Sequence, residues 1–117
     1  MVDITALGSV LHSFYNGLEN IFLTLAKRID QKVPKTTQWH LDLLNQMTKT
    51  ESKRRQVLST DMAHRLADYL GFRHFYRHSY SFFLEWDELE KLVNPLEEVC
   101  VQVKNELQVF LDSLKQP

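Results

Sequence analysis

From Ile4 to Ile29 the chain places an apolar side chain every three or four residues: Ile4, Leu7, Leu11, Phe14, Leu18, Ile21, Phe22, Leu25 and Ile29. This spacing lines one face of an α-helix and neither face of a strand. It predicts a long amphipathic helix from Ile4 to about Asp30, a length at which most stability comes from covering the apolar stripe with other elements. Gly8 and Gly17 fall inside it without disturbing the period.

The punctuation that follows divides the remainder into further helices. Pro34 and Lys35-Thr36-Thr37 mark a turn, with Thr37 placed to cap a short helix from Gln38 to about Met47. Trp39, Leu43 and Met47 share its stripe, and the two tryptophans of the chain, Trp39 here and Trp86 at a later helix start, read as packing residues. Thr48 to Arg55 is polar and basic, either a loop or the start of the next helix. Within it Lys53, Arg54 and Arg55 read as a solvated basic loop that could extend a path for nucleic acid. Ser59-Thr60-Asp61 is an N-cap cluster, and the helical period resumes at Met62, Leu66, Tyr69 and Leu70. Beyond Phe82-Phe83-Leu84, Trp86 or Asp87 opens a last helical pattern that keeps its period to Leu114. Pro95 kinks or splits it, because a proline in a helix interior costs about 3 kcal/mol. With three glycines, three prolines and no strand-like alternation, residues 1–117 read as a single all-α domain, a bundle of four or five helices.

One cysteine, Cys100, excludes an internal disulfide framework and fits a small core residue in a reducing compartment. The sequence has no apolar run of the ~18–20 residues a membrane span needs and no basic-then-apolar leader, so a cytoplasmic location is expected. The net charge of −1 argues against a general nucleic-acid coating protein, yet the charge is unevenly spread. Residues 47–80 carry seven basic and three acidic side chains, and residues 81–117 carry three basic and eight acidic ones. A basic middle can hold phosphate locally while the whole chain stays near neutral.

The segment after Gly71 breaks the pattern. With Leu66 at zero and about 100° per residue, Met62, Tyr69 and Leu70 define an apolar stripe within roughly 60° of Leu66. If the helix continues, Arg73 falls near −20°, Arg77 near +20° and Tyr80 near −40°, roughly on that stripe, with His74 and His78 beside it. A lone buried guanidinium costs several kcal/mol, so arginines placed there need a partner or a surface covered on association. Alternatively, Gly71 ends the helix and the arginines turn to water. The side chains suit phosphate chemistry: arginine offers a planar fork of donors, and histidine exchanges protons near neutrality. Cleaving RNA without a metal needs help for the attacking 2′-hydroxyl, for the charged phosphorane and for the leaving oxygen. A two-fold dimer would double the set of groups available. His74 and His78 also stand four residues apart, as metal ligands on a helix often do, but the flanking arginines disfavour a dication, and no metal or cofactor is expected.

The run Arg73-His74-Phe75-Tyr76-Arg77-His78-Ser79-Tyr80 resembles the R-x4-H-x-Y signature of the HEPN superfamily, specifically the HepT-type toxins encoded beside an MNT-type nucleotidyltransferase. The resemblance covers the whole chain in architecture and these eight residues in motif. It implies a HEPN-type bundle that dimerises through the motif-bearing face and acts as a metal-independent endoribonuclease. Arg73 and His78 would be the catalytic pair, with His74 and Arg77 supporting it or binding phosphate. Tyr80 would be the tyrosine to which the partner nucleotidyltransferase transfers AMP, adding bulk and negative charge where an RNA phosphate must sit. Where the family often has Asn or Asp after the arginine, this chain has His74. The implied partners are a second copy of the chain, transfer RNA or messenger RNA, and the nucleotidyltransferase, with no membrane. The alternative is a non-catalytic HEPN adaptor that binds the nucleotidyltransferase or a nucleotide; a plain helical interaction domain with a chance motif is a third reading.

Overall fold

The long stripe at the start of the chain folds as the central helix. The computed structural model describes the backbone of residues 4–78 and 86–115 and the side chains of residues 6–74 and 87–115. Helix α1 (Ile4–Leu25) passes into a π-helical turn, Ala26–Asp30, and is followed by α2 (Trp39–Gln46), α3 (Thr60–His78), α4 (Trp86–Val93) and α5 (Leu96–Leu114). No strand occurs among the described residues; Glu51 and Arg54 form an isolated bridge in the α2–α3 loop.

Helix α1 touches α2, α3 and α4; α3 also packs on α2 and α5, and α5 lies against α4. The core follows from the stripes: Leu11, Tyr15, Leu18 and Phe22 of α1 meet Leu43 and Leu44 of α2, Met62 and Leu66 of α3, and Leu89, Val99, Val103 and Phe110 of α4 and α5. Phe14 packs edge-to-face on Tyr69, with ring centroids 5.3 Å apart. The Tyr69 hydroxyl donates to the Leu92 carbonyl at 2.7 Å, joining α3 to α4. Cys100 is half-buried on α5 and free.

The ends of the helices largely match their chemistry. Ser59 Oγ accepts from the Met62 amide at 3.0 Å and so caps α3. Glu106 of α5 accepts from both the amide and the hydroxyl of Ser59, which fixes that cap against another helix. Pro95 divides the last helical pattern, ending α4 at Val93 and preceding Leu96 of α5. At α2 the hydroxyl at work is that of Thr36, which accepts from the Gln38 amide at 3.2 Å, and not that of Thr37. The π-helical turn closes through Gln31, whose backbone takes a left-handed conformation at φ 58° and donates to the Ala26 carbonyl.

The expectation for Arg54 is corrected. Its side chain is fully buried, as is that of Asp30, and the two make a forked ion pair with Nε–Oδ1 at 2.6 Å and Nη2–Oδ2 at 2.7 Å. The other donors of Arg54 reach the carbonyls of Lys49, Arg55 and Gln46. Gln46 Nε2 in turn donates to Asp30 at 2.7 Å. A guanidinium in the α2–α3 loop thereby ties that loop to the π-helical turn that follows α1. Lys53 and Arg55 are exposed, as a solvated loop requires.

Candidate functional site

Helix α3 runs through Gly71 without interruption to His78. The helical wheel therefore carries on, and Arg73 falls on the inward stripe, 6% exposed. The reading in which Gly71 ends the helix and turns Arg73 to water is excluded by this geometry. The partner that a buried arginine requires is Glu19 of α1, itself 4% exposed, with Arg73 Nη1 3.3 Å from Oε1 and 3.4 Å from Oε2.

A third side chain completes the cluster. His40, on the first turn of α2, places Nδ1 2.7 Å from Glu19 Oε2 and 3.3 Å from Arg73 Nη1. One ring nitrogen cannot donate to a carboxylate and accept from a guanidinium at once. The shorter, charge-assisted contact decides: Nδ1–H donates to Glu19, and the guanidinium lies beside it without a bond. The indole of Trp39 stacks on the imidazole, with centroids 3.6 Å apart and planes 30° from parallel. Glu19 and Trp39 together set the direction and the plane of the ring.

Tyr15 borders the same cluster, one turn before Glu19 on α1. Its hydroxyl is buried and has no hydrogen-bond partner among the described residues, and the same holds for Arg73 Nε. Burial, reinforced by the negative charge of Glu19 and opposed by the positive charge of Arg73, pushes the Tyr15 hydroxyl far above the usual tyrosine range. It is a neutral phenol at any physiological pH.

Of the residues singled out from sequence, Arg73 is buried in this cluster and His74 is exposed on the adjoining face of α3. The backbones of Arg77 and His78 occupy the last turn of α3, with side chains outside the described set, and Tyr80 lies outside the described residues altogether. Sequence reasoning missed Glu19 and His40. A signal for Glu19 was present, since it keeps helical register with the buried Tyr15, Phe22 and Ala26 on the inward face of α1. His40 carries no such mark, because its role depends on where α1 and α3 lie. Among the described residues, no three His, Cys, Asp or Glu side chains converge as a metal site would require. No described helix is long and apolar enough to cross a membrane.

A helical bundle with the motif arginine turned inward on its third helix is an all-α fold of the HEPN type. The chain belongs to the HepT-like protein family, which matches residues 6–114. That family lies in the HEPN-type superfamily of toxins and ribonucleases. Comparison with curated proteins and with solved structures gave no significant match.

Proposed function

We propose that this protein is a metal-independent endoribonuclease toxin of a toxin–antitoxin pair, acting in the cytoplasm as a homodimer whose motif-bearing faces form a composite cleft. Membership of the HepT-like family together with an intact Arg73…His78-x-Tyr80 motif supports the reading. The observation that carries it is the unbroken course of α3 through Gly71 to His78, which sets Arg73 and His78 on one helix at the spacing of the motif.

The step is a transesterification. The 2′-oxygen of the RNA loses its proton and attacks the adjacent phosphorus, the bond to the 5′-oxygen breaks, and the leaving oxygen takes a proton. The products are a 2′,3′-cyclic phosphate and a 5′-hydroxyl. His78 exchanges a proton in this step, Arg73 holds the scissile phosphate, and His74 and Arg77 support it. The partner nucleotidyltransferase silences the site by transferring AMP to Tyr80.

One observation favours a second reading, the non-catalytic adaptor: Arg73 already has Glu19 as its counter-ion and is nearly inaccessible. The two readings separate on incubation of purified protein with transfer RNA or total RNA in chelator, wild type beside His78→Ala. Arg73→Ala is the poorer probe, since it strands a buried Glu19. Fragments ending in cyclic phosphate from the wild type alone are expected. Intact RNA with protein shown by mass to carry no AMP would reject the nuclease in favour of the adaptor.

A further inference from the structure

The motif accounts for one proton-transfer group, His78, while a transesterification moves two protons: one off the nucleophile and one onto the leaving group. The structure contains a second imidazole beside the motif arginine, on a helix the motif does not reach. His40 lies 33 residues before Arg73, with its ring nitrogen 3.3 Å from the guanidinium.

Three features separate His40 from an ordinary surface histidine. Its Nδ1–H is committed to the buried carboxylate of Glu19 at 2.7 Å, which fixes the tautomer and leaves Nε2, on the other side of the ring, as the nitrogen able to take a proton. Its plane is held by the stacked indole of Trp39. Its side chain is 31% exposed, whereas those of Glu19 and Arg73 are 5% and 7% exposed. In this cluster the two charges are buried and neutralise each other, and the proton acceptor is the member that reaches solvent. A carboxylate orienting an imidazole through Nδ1, with Nε2 turned to the reacting atom, is a general arrangement for base catalysis.

We propose that His40 is the general base of this site and Glu19 its positioning residue. The inference rests on the ribonuclease reading above. His40 Nε2 takes the proton of the 2′-hydroxyl as the O2′–P bond forms, and His78 gives a proton to the 5′-oxygen as the P–O5′ bond breaks. Exchange with solvent then returns both imidazoles to their starting states. Arg73 neutralises Glu19, so that the carboxylate orients His40 without placing an uncompensated negative charge beside the incoming phosphate.

The experiment is cleavage of an RNA oligonucleotide in chelator by wild type, His40→Ala, His40→Gln and His78→Ala, on two substrates. One has the natural 5′-oxygen leaving group and the other has sulfur in its place. His40→Gln keeps a donor that can reach Glu19 and so serves should the alanine variant fold poorly. Both His40 variants are expected to lose about 100-fold or more in kcat/KM on the natural substrate. Sulfur leaves without needing a proton, so His78→Ala should recover on the second substrate while the His40 variants stay impaired. Added imidazole should restore part of the activity of His40→Ala, which a merely structural role would not permit. Activity of both His40 variants within a few-fold of wild type, with His78→Ala inactive, overturns the inference and leaves the ribonuclease reading standing. Recovery of the His40 variants on the sulfur substrate overturns the base role. A wild type inert toward RNA, and shown by mass to carry no AMP, overturns the ribonuclease reading and this inference with it. Nitrogen NMR of the ring supplies an independent check, since an unprotonated Nδ1 on neutral His40 would remove the geometric basis.

Discussion

Replacing Asp30 by Asn should destabilise the protein far more than changing a carboxylate near a basic loop would ordinarily do. The Asp30 carboxylate receives two donors from Arg54, at 2.6 and 2.7 Å, and one from Gln46 at 2.7 Å, with both charged side chains fully buried. Breaking a buried pair by removing one charge costs about 3–5 kcal/mol, because the survivor is left without compensation. For 117 residues the entropy of unfolding is about 0.25 kcal/mol/K, so the melting temperature should fall by roughly 12–20 °C. Thermal melts followed by circular dichroism, repeated with Arg54→Met and the double variant, test this. The singles should each be costly, and the double should cost well below their sum because neither charge is then stranded. Single-variant losses below about 1 kcal/mol, the range of exposed pairs, would refute the reasoning. The pH dependence carries its own sign. Burial pushes the Asp30 carboxyl up, but the hydrogen bonds from Arg54 and Gln46 and the charges of Arg54 and Lys32 outweigh burial and hold it below the usual carboxylate range. On acidification the unfolded chain therefore takes up this proton before the folded one. The stabilisation is fully present above the unfolded value of about 3.9 and is lost as the pH falls through the folded value. Asp30→Asn should flatten that part of the acid stability curve.

Gly71→Ala should stabilise the protein by about 0.5–1 kcal/mol in urea titrations, because the site is exposed within a helix and an added Cβ meets nothing within 4 Å. A loss of stability would show that α3 does not run unbroken there. Tyr69→Phe should cost about 1 kcal/mol or more through loss of the donor to the Leu92 carbonyl. Burial, aided by Cys100 and Asp68 and opposed by Arg65, pushes that phenol up to about 12, so it stays a donor and its contribution should not change between pH 6 and about 9. Glu19→Gln should cost about 3–5 kcal/mol in the same titrations by stranding Arg73, and adding Arg73→Met should recover much of it. Full additivity of those two changes would contradict the pairing.

The architecture was legible because helices announce themselves locally. The α1 stripe, the Ser59 cap and the break at Pro95 each rest on contacts within a few residues, and each appears where the pattern put it. The inward turn of Arg73 was legible in the same way, as continuation of one wheel across Gly71, though the pattern equally allowed the helix to stop there. What the chain could not announce were partners brought from a distance. Glu19 lies 54 residues from Arg73, and Asp30 lies 24 residues before Arg54. A loop arginine reads as solvated until a carboxylate returns to meet it, and loops have no period from which that return could be inferred. His40 is the extreme case, an unremarkable side chain at the start of a short helix whose charged neighbours come from two other helices.

The tethering of Arg73 also bears on how the site comes into being. Its neighbours belong to α1 and α2, which precede it in the chain, so during synthesis the carboxylate and the imidazole emerge before the cation that Glu19 holds. Until α3 docks, Glu19 keeps its water and lacks its buried counter-ion. Once it docks, the end of α3 cannot lift away without exposing apolar core and parting two buried charges, so it should open only with the bundle as a whole. Hydrogen exchange in the Arg73 turn should then track global unfolding, and heating should abolish activity and tertiary structure together. For a protein that acts on the cell's own RNA, as proposed here, an unfinished chain would then be a harmless one.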